Sequence, residues 1–159
     1  SGLICYNYVV MKIYLDVCCL NRPFDDQKQQ RVRLESEAIL LIMTRFESNQ
    51  WQWFSSEVVL DEILQTGNED RKKRLLNLNE KAAKSLIVTD KDFERGQKLA
   101  ALGFGDMDAL HLACAESGDV DVFLTTDDKL IRTAKKLAGQ LNVLVDNPLN
   151  WLFAQRMDA

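Results

Sequence analysis

The stretch 12–21, KIYLDVCCLN, constrains this chain more than any other. Ile13, Leu15 and Val17 alternate with Lys12 and Tyr14 in the period of two that sends successive side chains to opposite faces of a strand. The run meets a carboxylate, Asp16, where that strand should stop. A carboxylate at the end of a central strand is poorly solvated, and it is therefore either paired or functional. Four later runs, 51–54, 86–88, 120–125 and 143–145, have the length and the β-branched or aromatic content of strands. Segments of helical period separate them. A chain that alternates strands with helices belongs to the α/β class, and 159 residues suit a single domain with a mainly parallel central sheet flanked by helices.

The helices follow from periodicity and capping. Arg22, Pro23 and the Asp25-Asp26 pair turn the chain, and a helix over 31–47 repeats Ala38, Ile39, Ile42 and Phe46 on one face. Ser55 or Ser56 caps a second helix over 57–65. At about 100° per residue, Glu57, Asp61 and Gln65 share its solvent face, with Val58, Val59, Leu60, Ile63 and Leu64 filling the rest. Glu62 falls between Val58 and Val59, so it is either an edge residue reaching out to water or part of a site. A further helix over 69–81 carries the basic run Arg71, Lys72, Lys73 and Arg74, which is either a solvated face or a set of phosphate contacts. Thr89 or Asp90 caps a helix ending near Gly103, and Pro148 opens a terminal one.

Gly103 and Gly105 punctuate a loop that delivers Asp106 and Asp108 to DALHLACA, a helix apolar nearly all round and therefore buried. Asp106 accounts for its N-cap, which leaves Asp108, inside the first turn, as a surplus carboxylate. His111, the one histidine, is expected to be a packed, hydrogen-bonded core residue rather than a ligand or base. The strand 120–125 runs into LTTDD, which places Asp127 and Asp128 at its exit, each able to cap the next helix. Ligand sites in open parallel sheets lie beyond the carboxyl ends of the strands. Asp16, Glu62, Asp108 and Asp127 are expected to meet there. With no matching Lys or Arg they repel one another and titrate upward unless a cation holds them, and an oxygen-only set suits Mg²⁺ or Mn²⁺.

At these residues the chain resembles the PIN-domain ribonucleases, in particular the VapC-type toxins of toxin-antitoxin pairs. The resemblance covers residues 12–151 and rests on four motifs in order: Asp16 closing the first strand, Glu62 in SEVVLDEIL, Asp108 in DALHLACA, and Thr125 with Asp127 after the fourth strand. It implies a sheet of strand order 3-2-1-4-5 and a Mg²⁺- or Mn²⁺-dependent endoribonuclease cutting single-stranded or structured RNA. Asp16, Glu62 and Asp108 would then be metal ligands, direct or through water, with Asp127 completing the acidic pocket. It also implies an antitoxin partner and a homodimer. Val17 stands where the family usually has Thr or Ser, so a hydroxyl that orders the site is missing, and Asp106 and Asp128 compete with Asp108 and Asp127. A PIN-like module that binds RNA or protein with weak or absent catalysis is the alternative. A receiver-type domain ranks third, for want of an acidic pair before Asp16 and a Lys after a late strand.

A net charge of −4 excludes a protein that coats nucleic acid through its overall field, leaving only a local basic patch. Cys5, Cys18, Cys19 and Cys114 lack metal-ligand spacing and suit a reducing compartment. No run is long enough for a membrane span or shaped like an export signal, so a cytoplasmic protein is expected. Residues 1–11 read as an N-terminal extension or a vector-derived remnant (Ser1 and Gly2), with Met11 the expected native start, ahead of a domain over 12–159.

Overall fold

A computed structural model describes residues 9–156. Most of the N-terminal extension, residues 1–8, lies outside the described residues. Five strands form one sheet: β1 (Met11–Leu15), β2 (Trp51–Ser56), β3 (Lys84–Leu86), β4 (Val122–Leu124) and β5 (Leu144–Asp146). Their order is β3-β2-β1-β4-β5 with every pairing parallel. That is the expected 3-2-1-4-5 order. It sets aside the receiver-type reading, whose sheet runs 2-1-3-4-5.

The α-helices are α1 (Val17–Asn21), α2 (Gln30–Glu47), α3 (Glu57–Leu64), α4 (Glu69–Asn79), α5 (Asp90–Leu102), α6 (Asp106–Ser117), α7 (Asp128–Lys136) and α8 (Pro148–Arg156). β1 is the central strand, and Ile13, Tyr14 and Leu15 are wholly buried, as a strand covered on both faces requires. α6 buries His111, Leu112, Ala113, Cys114 and Ala115, in keeping with its all-round apolar sequence. No helix among the described residues is long and apolar enough to cross a membrane.

Three local expectations are corrected. The strand stops at Asp16 as expected, but Val17, grouped with its alternation, belongs to α1: Asp16 takes extended dihedrals, accepts a hydrogen bond from the Val17 N–H, and so starts α1, which carries Cys18 and Cys19. β3 lies two residues earlier than the apolar run 86–88. Its partner β2 ends at Ser56, opposite Leu86, and the Val88 N–H turns to Glu57 Oε2 instead. Asp106 is not the cap of α6. Gly105 occupies that position without a side-chain bond, and Asp106 is the exposed first helical residue. On α3, Val58, Val59 and Ile63 are buried while Leu60 and Leu64 reach solvent.

Candidate metal centre

The site lies where β1 and β4 end side by side. Leu15 pairs with Leu124, and one residue further the Asp16 N–H donates to the Leu124 carbonyl at 2.9 Å, so the exits of both strands share one edge. Asp16 is buried, with Oδ1 accepting from the Val17 N–H at 2.8 Å and Oδ2 from the Thr125 hydroxyl at 2.8 Å. Thr125 thus gives Asp16 a hydroxyl partner, while the Val17 side chain offers none. Its Oγ1 also accepts the Asp127 N–H at 3.2 Å and lies 3.4 Å from Cys18 Sγ. Asp127 caps α7, with Oδ1 accepting from the Lys129 and Leu130 N–H groups at 3.0 and 3.2 Å.

Glu62 enters from α3. Its Oε1 lies 2.6 Å from His111 Nε2, which in turn is 3.9 Å from Asp16 Oδ1. Ligand-capable atoms of Asp16, Glu62 and His111 all lie within 4.8 Å of one another. His111 is the packed, hydrogen-bonded core residue expected, and it is also a wall of the site. Its Nδ1 meets the Tyr14 hydroxyl at 2.6 Å, and that hydroxyl meets Ser56 Oγ at 2.6 Å. Burial raises the Tyr14 pKa well above its ordinary value, so this hydroxyl keeps its proton.

Asp108 projects from the first turn of α6. Burial first, and then the negative charges of Asp16 and Asp127, push its pKa up to about 6, with His111 opposing and Glu62 adding. No Lys or Arg among the described residues forms an ion pair with Asp16, Glu62, Asp108 or Asp127. The donor set therefore fits a hard divalent cation, which would relieve the repulsion that lifts Asp108.

The competing residues point elsewhere. Asp128 forms two bonds with Arg31, at 2.7 and 2.8 Å, which hold its carboxyl below the usual range. Asp106 is exposed. The basic run is split: Arg71 bonds Asp25 at 2.8 Å, Asn21 at 3.2 Å and the Phe24 carbonyl at 2.7 Å, while Lys72 pairs with Glu69 and Arg74 with Asp70. Of these four, only Lys73 forms no ion pair with another described residue. Sequence reasoning passed over Tyr14 and Ser56. Their signals, a strand tyrosine two residues before Asp16 and a helix cap, carry no chemistry until β1 and α6 are packed together.

Comparison with known proteins agrees with this architecture. No curated protein matches the sequence. Among solved structures, a chain of the VapBC2 complex from Rickettsia felis, crystallised with a DNA fragment from their promoter, superposes with a TM-score of 0.54 at 13% identity. The match covers 86% of this chain and 98% of that one, and at such identity it is a likeness of fold. The PIN domain family matches residues 13–136, a span running from the first core residue of β1 to the end of α7 and enclosing all four carboxylates. The chain belongs to the PIN domain family.

Proposed function

We propose that this protein is a divalent-metal-dependent endoribonuclease, the toxin of a toxin-antitoxin pair acting in the cytoplasm as a homodimer. The observation that carries the reading is Asp108, a half-buried carboxylate lifted to about 6 beside Asp16 and Asp127, with which no Lys or Arg among the described residues forms an ion pair. Such crowding of like charge is costly unless a cation is normally present. Asp16, Glu62, Asp108 and Asp127 would hold Mg²⁺ or Mn²⁺, which would supply charge neutralisation and a more acidic water for hydrolysis of a phosphodiester.

The chain's own residues do the rest. Asp16 is the most rigid ligand, because its backbone and both carboxylate oxygens are held. Asp108 brings the second charge, Glu62 is directed from α3 by His111, and Asp127 offers its Oδ2 while Oδ1 caps α7. Lys73, with Lys72 and Arg74 when their surface pairs open, offers contacts to RNA phosphates. The antitoxin is proposed by analogy with the VapBC2 complex.

A non-catalytic binding module draws its support from Val17, and against it stands the Thr125 hydroxyl, which donates to Asp16 Oδ2. The test is incubation of purified protein with structured and unstructured RNAs in Mg²⁺, in Mn²⁺ and in chelator. Cleavage that requires the ion is expected. Cleavage persisting in excess chelator rules out the mechanism, and binding without cleavage under every condition returns the protein to the binding-module class.

A further inference from the structure

Glu62 is the one carboxylate of the site that sits on a different layer of hydrogen bonding from the rest. Its side-chain partner among the described residues is His111, wholly buried, at 2.6 Å. An ionised carboxylate can only accept, so this contact requires a proton on Nε2. The other ring nitrogen is occupied as well, by the Tyr14 hydroxyl at 2.6 Å. With the ring neutral, Tyr14 donates to Nδ1 and Ser56 donates to the Tyr14 oxygen, so the donors and acceptors match along the whole chain.

The ring has little freedom to leave this arrangement. Tyr14 and Phe123 face it edge-on, with ring centroids 5.7 and 6.2 Å away, and both residues are wholly buried. Turning the imidazole would strand buried polar atoms on Tyr14 and His111, each at the cost of an unmade hydrogen bond. Ser56 also acts on the backbone of α3. Its Oγ also accepts the Val59 N–H at 3.2 Å, making it the N-cap of α3, the helix that carries Glu62. One serine therefore anchors Glu62 twice, through its helix and through its side chain.

We infer that His111 is a positioning residue that aims the Glu62 carboxylate through its Nε2–H, with Tyr14 and Ser56 fixing the ring, rather than a metal ligand itself. The inference rests on the nuclease reading of the acidic cluster. Ligation by His111 would need Nε2 to give up its proton and Glu62 to lose its partner. Metal sites commonly rely on such outer partners, whose removal weakens metal affinity or activity about 10- to 100-fold.

Since the chain has a single histidine, ¹⁵N NMR of the imidazole reports on it without ambiguity. In the metal-free protein Nε2 should carry a proton, and that proton should persist when Mg²⁺ saturates the site. A proton on Nδ1 alone, or loss of the Nε2 proton on adding Mg²⁺, overturns the inference. Tyr14→Phe keeps the ring and its stacking on Phe123. It should lower kcat and Mn²⁺ affinity about tenfold, leave KM for RNA unchanged, and blur the tautomer preference. Adding Tyr14→Phe to Glu62→Gln should cost no further Mn²⁺ affinity, because Tyr14 acts only through Glu62. Additive losses would sink the inference. If wild-type protein shows neither a Mn²⁺-induced rise in Tm nor cleavage, the nuclease reading fails and takes the positioning role with it. A normal Mn²⁺ response with Tyr14→Phe indistinguishable from wild type removes the positioning role alone.

Discussion

Thr125 Oγ1 donates to Asp16 Oδ2 at 2.8 Å, joining two residues 109 positions apart across the exits of neighbouring strands. The same hydroxyl accepts the Asp127 N–H, so one buried side chain sets two of the four carboxylates relative to each other.

Thr125→Val removes the hydroxyl while keeping the shape. The buried Asp16 oxygen then lacks its donor, an expected loss of about 1–3 kcal/mol in urea unfolding, and cleavage should fall at least about tenfold. Thr125→Ser should restore most of both. Wild-type activity in Thr125→Val would show that Asp16 is ordered by its backbone partners alone.

Asp106 and Asp108 are two residues apart but differ in exposure and surroundings. Asp108→Asn should abolish cleavage and shrink the rise in Tm that Mn²⁺ gives the native state by mass action. Asp106→Asn should leave both nearly unchanged, since Gly105 holds the cap position. The opposite pattern would exchange their roles.

The pH dependence of stability should carry the mark of Asp108. Its folded pKa, about 6, stands above the ordinary carboxylate value of 3.8, so between these limits the native state binds the proton more tightly than the unfolded chain. This group therefore contributes stability that is fully present below about pH 4 and lost as pH rises through about 6. With allowance for its partial exposure the loss is about 1–2 kcal/mol. Metal-free Asp108→Asn should lack that component, so the difference between wild type and variant, followed by denaturant unfolding from pH 4 to 7, should drift in favour of the variant. A flat difference would mean that neither burial nor the neighbouring charges lift Asp108.

Arg71 and Lys73 should separate structure from binding within one basic run. Arg71→Ala removes three hydrogen bonds, to Asn21 at the end of α1, to the Phe24 carbonyl and to Asp25, and should lower stability by about 1–2 kcal/mol. Lys73→Ala should leave stability unchanged, weaken RNA binding, and flatten the salt dependence by roughly one ion. An unaltered salt slope would return Lys73 to the role of a solvated surface residue.

The alternation of strands and helices was legible because burial on two faces and on one face leave different periods in sequence. Asp16 stood out for the same reason, as a charge ending an apolar run. α1 was hidden because Val17, Cys18, Cys19 and Leu20 are apolar without a break, a pattern equally suited to strand and helix. Helical angle alone left Glu62 between edge and site, since the deciding contact comes from His111, 49 residues later. The ion pairs that engage Asp128 and Arg71 join residues 97 and 46 positions apart. Such pairings depend on how layers stack, which no local window contains.

The strand order has a consequence for biosynthesis. β1 is made first, yet one of its two neighbours is β4, more than a hundred residues later, and only that pairing brings Asp16 beside Thr125 and Asp127. A nascent chain can lay down β1, β2 and β3 with their helices while the edge of β1 still waits for its partner, and long-range parallel pairings of this kind form slowly. Until translation has passed residue 127 the ribosome holds a polypeptide with an incomplete acidic cluster. On the proposed nuclease reading, a prematurely terminated product, or a chain still being synthesised, would lack the complete set of carboxylates that cleavage needs.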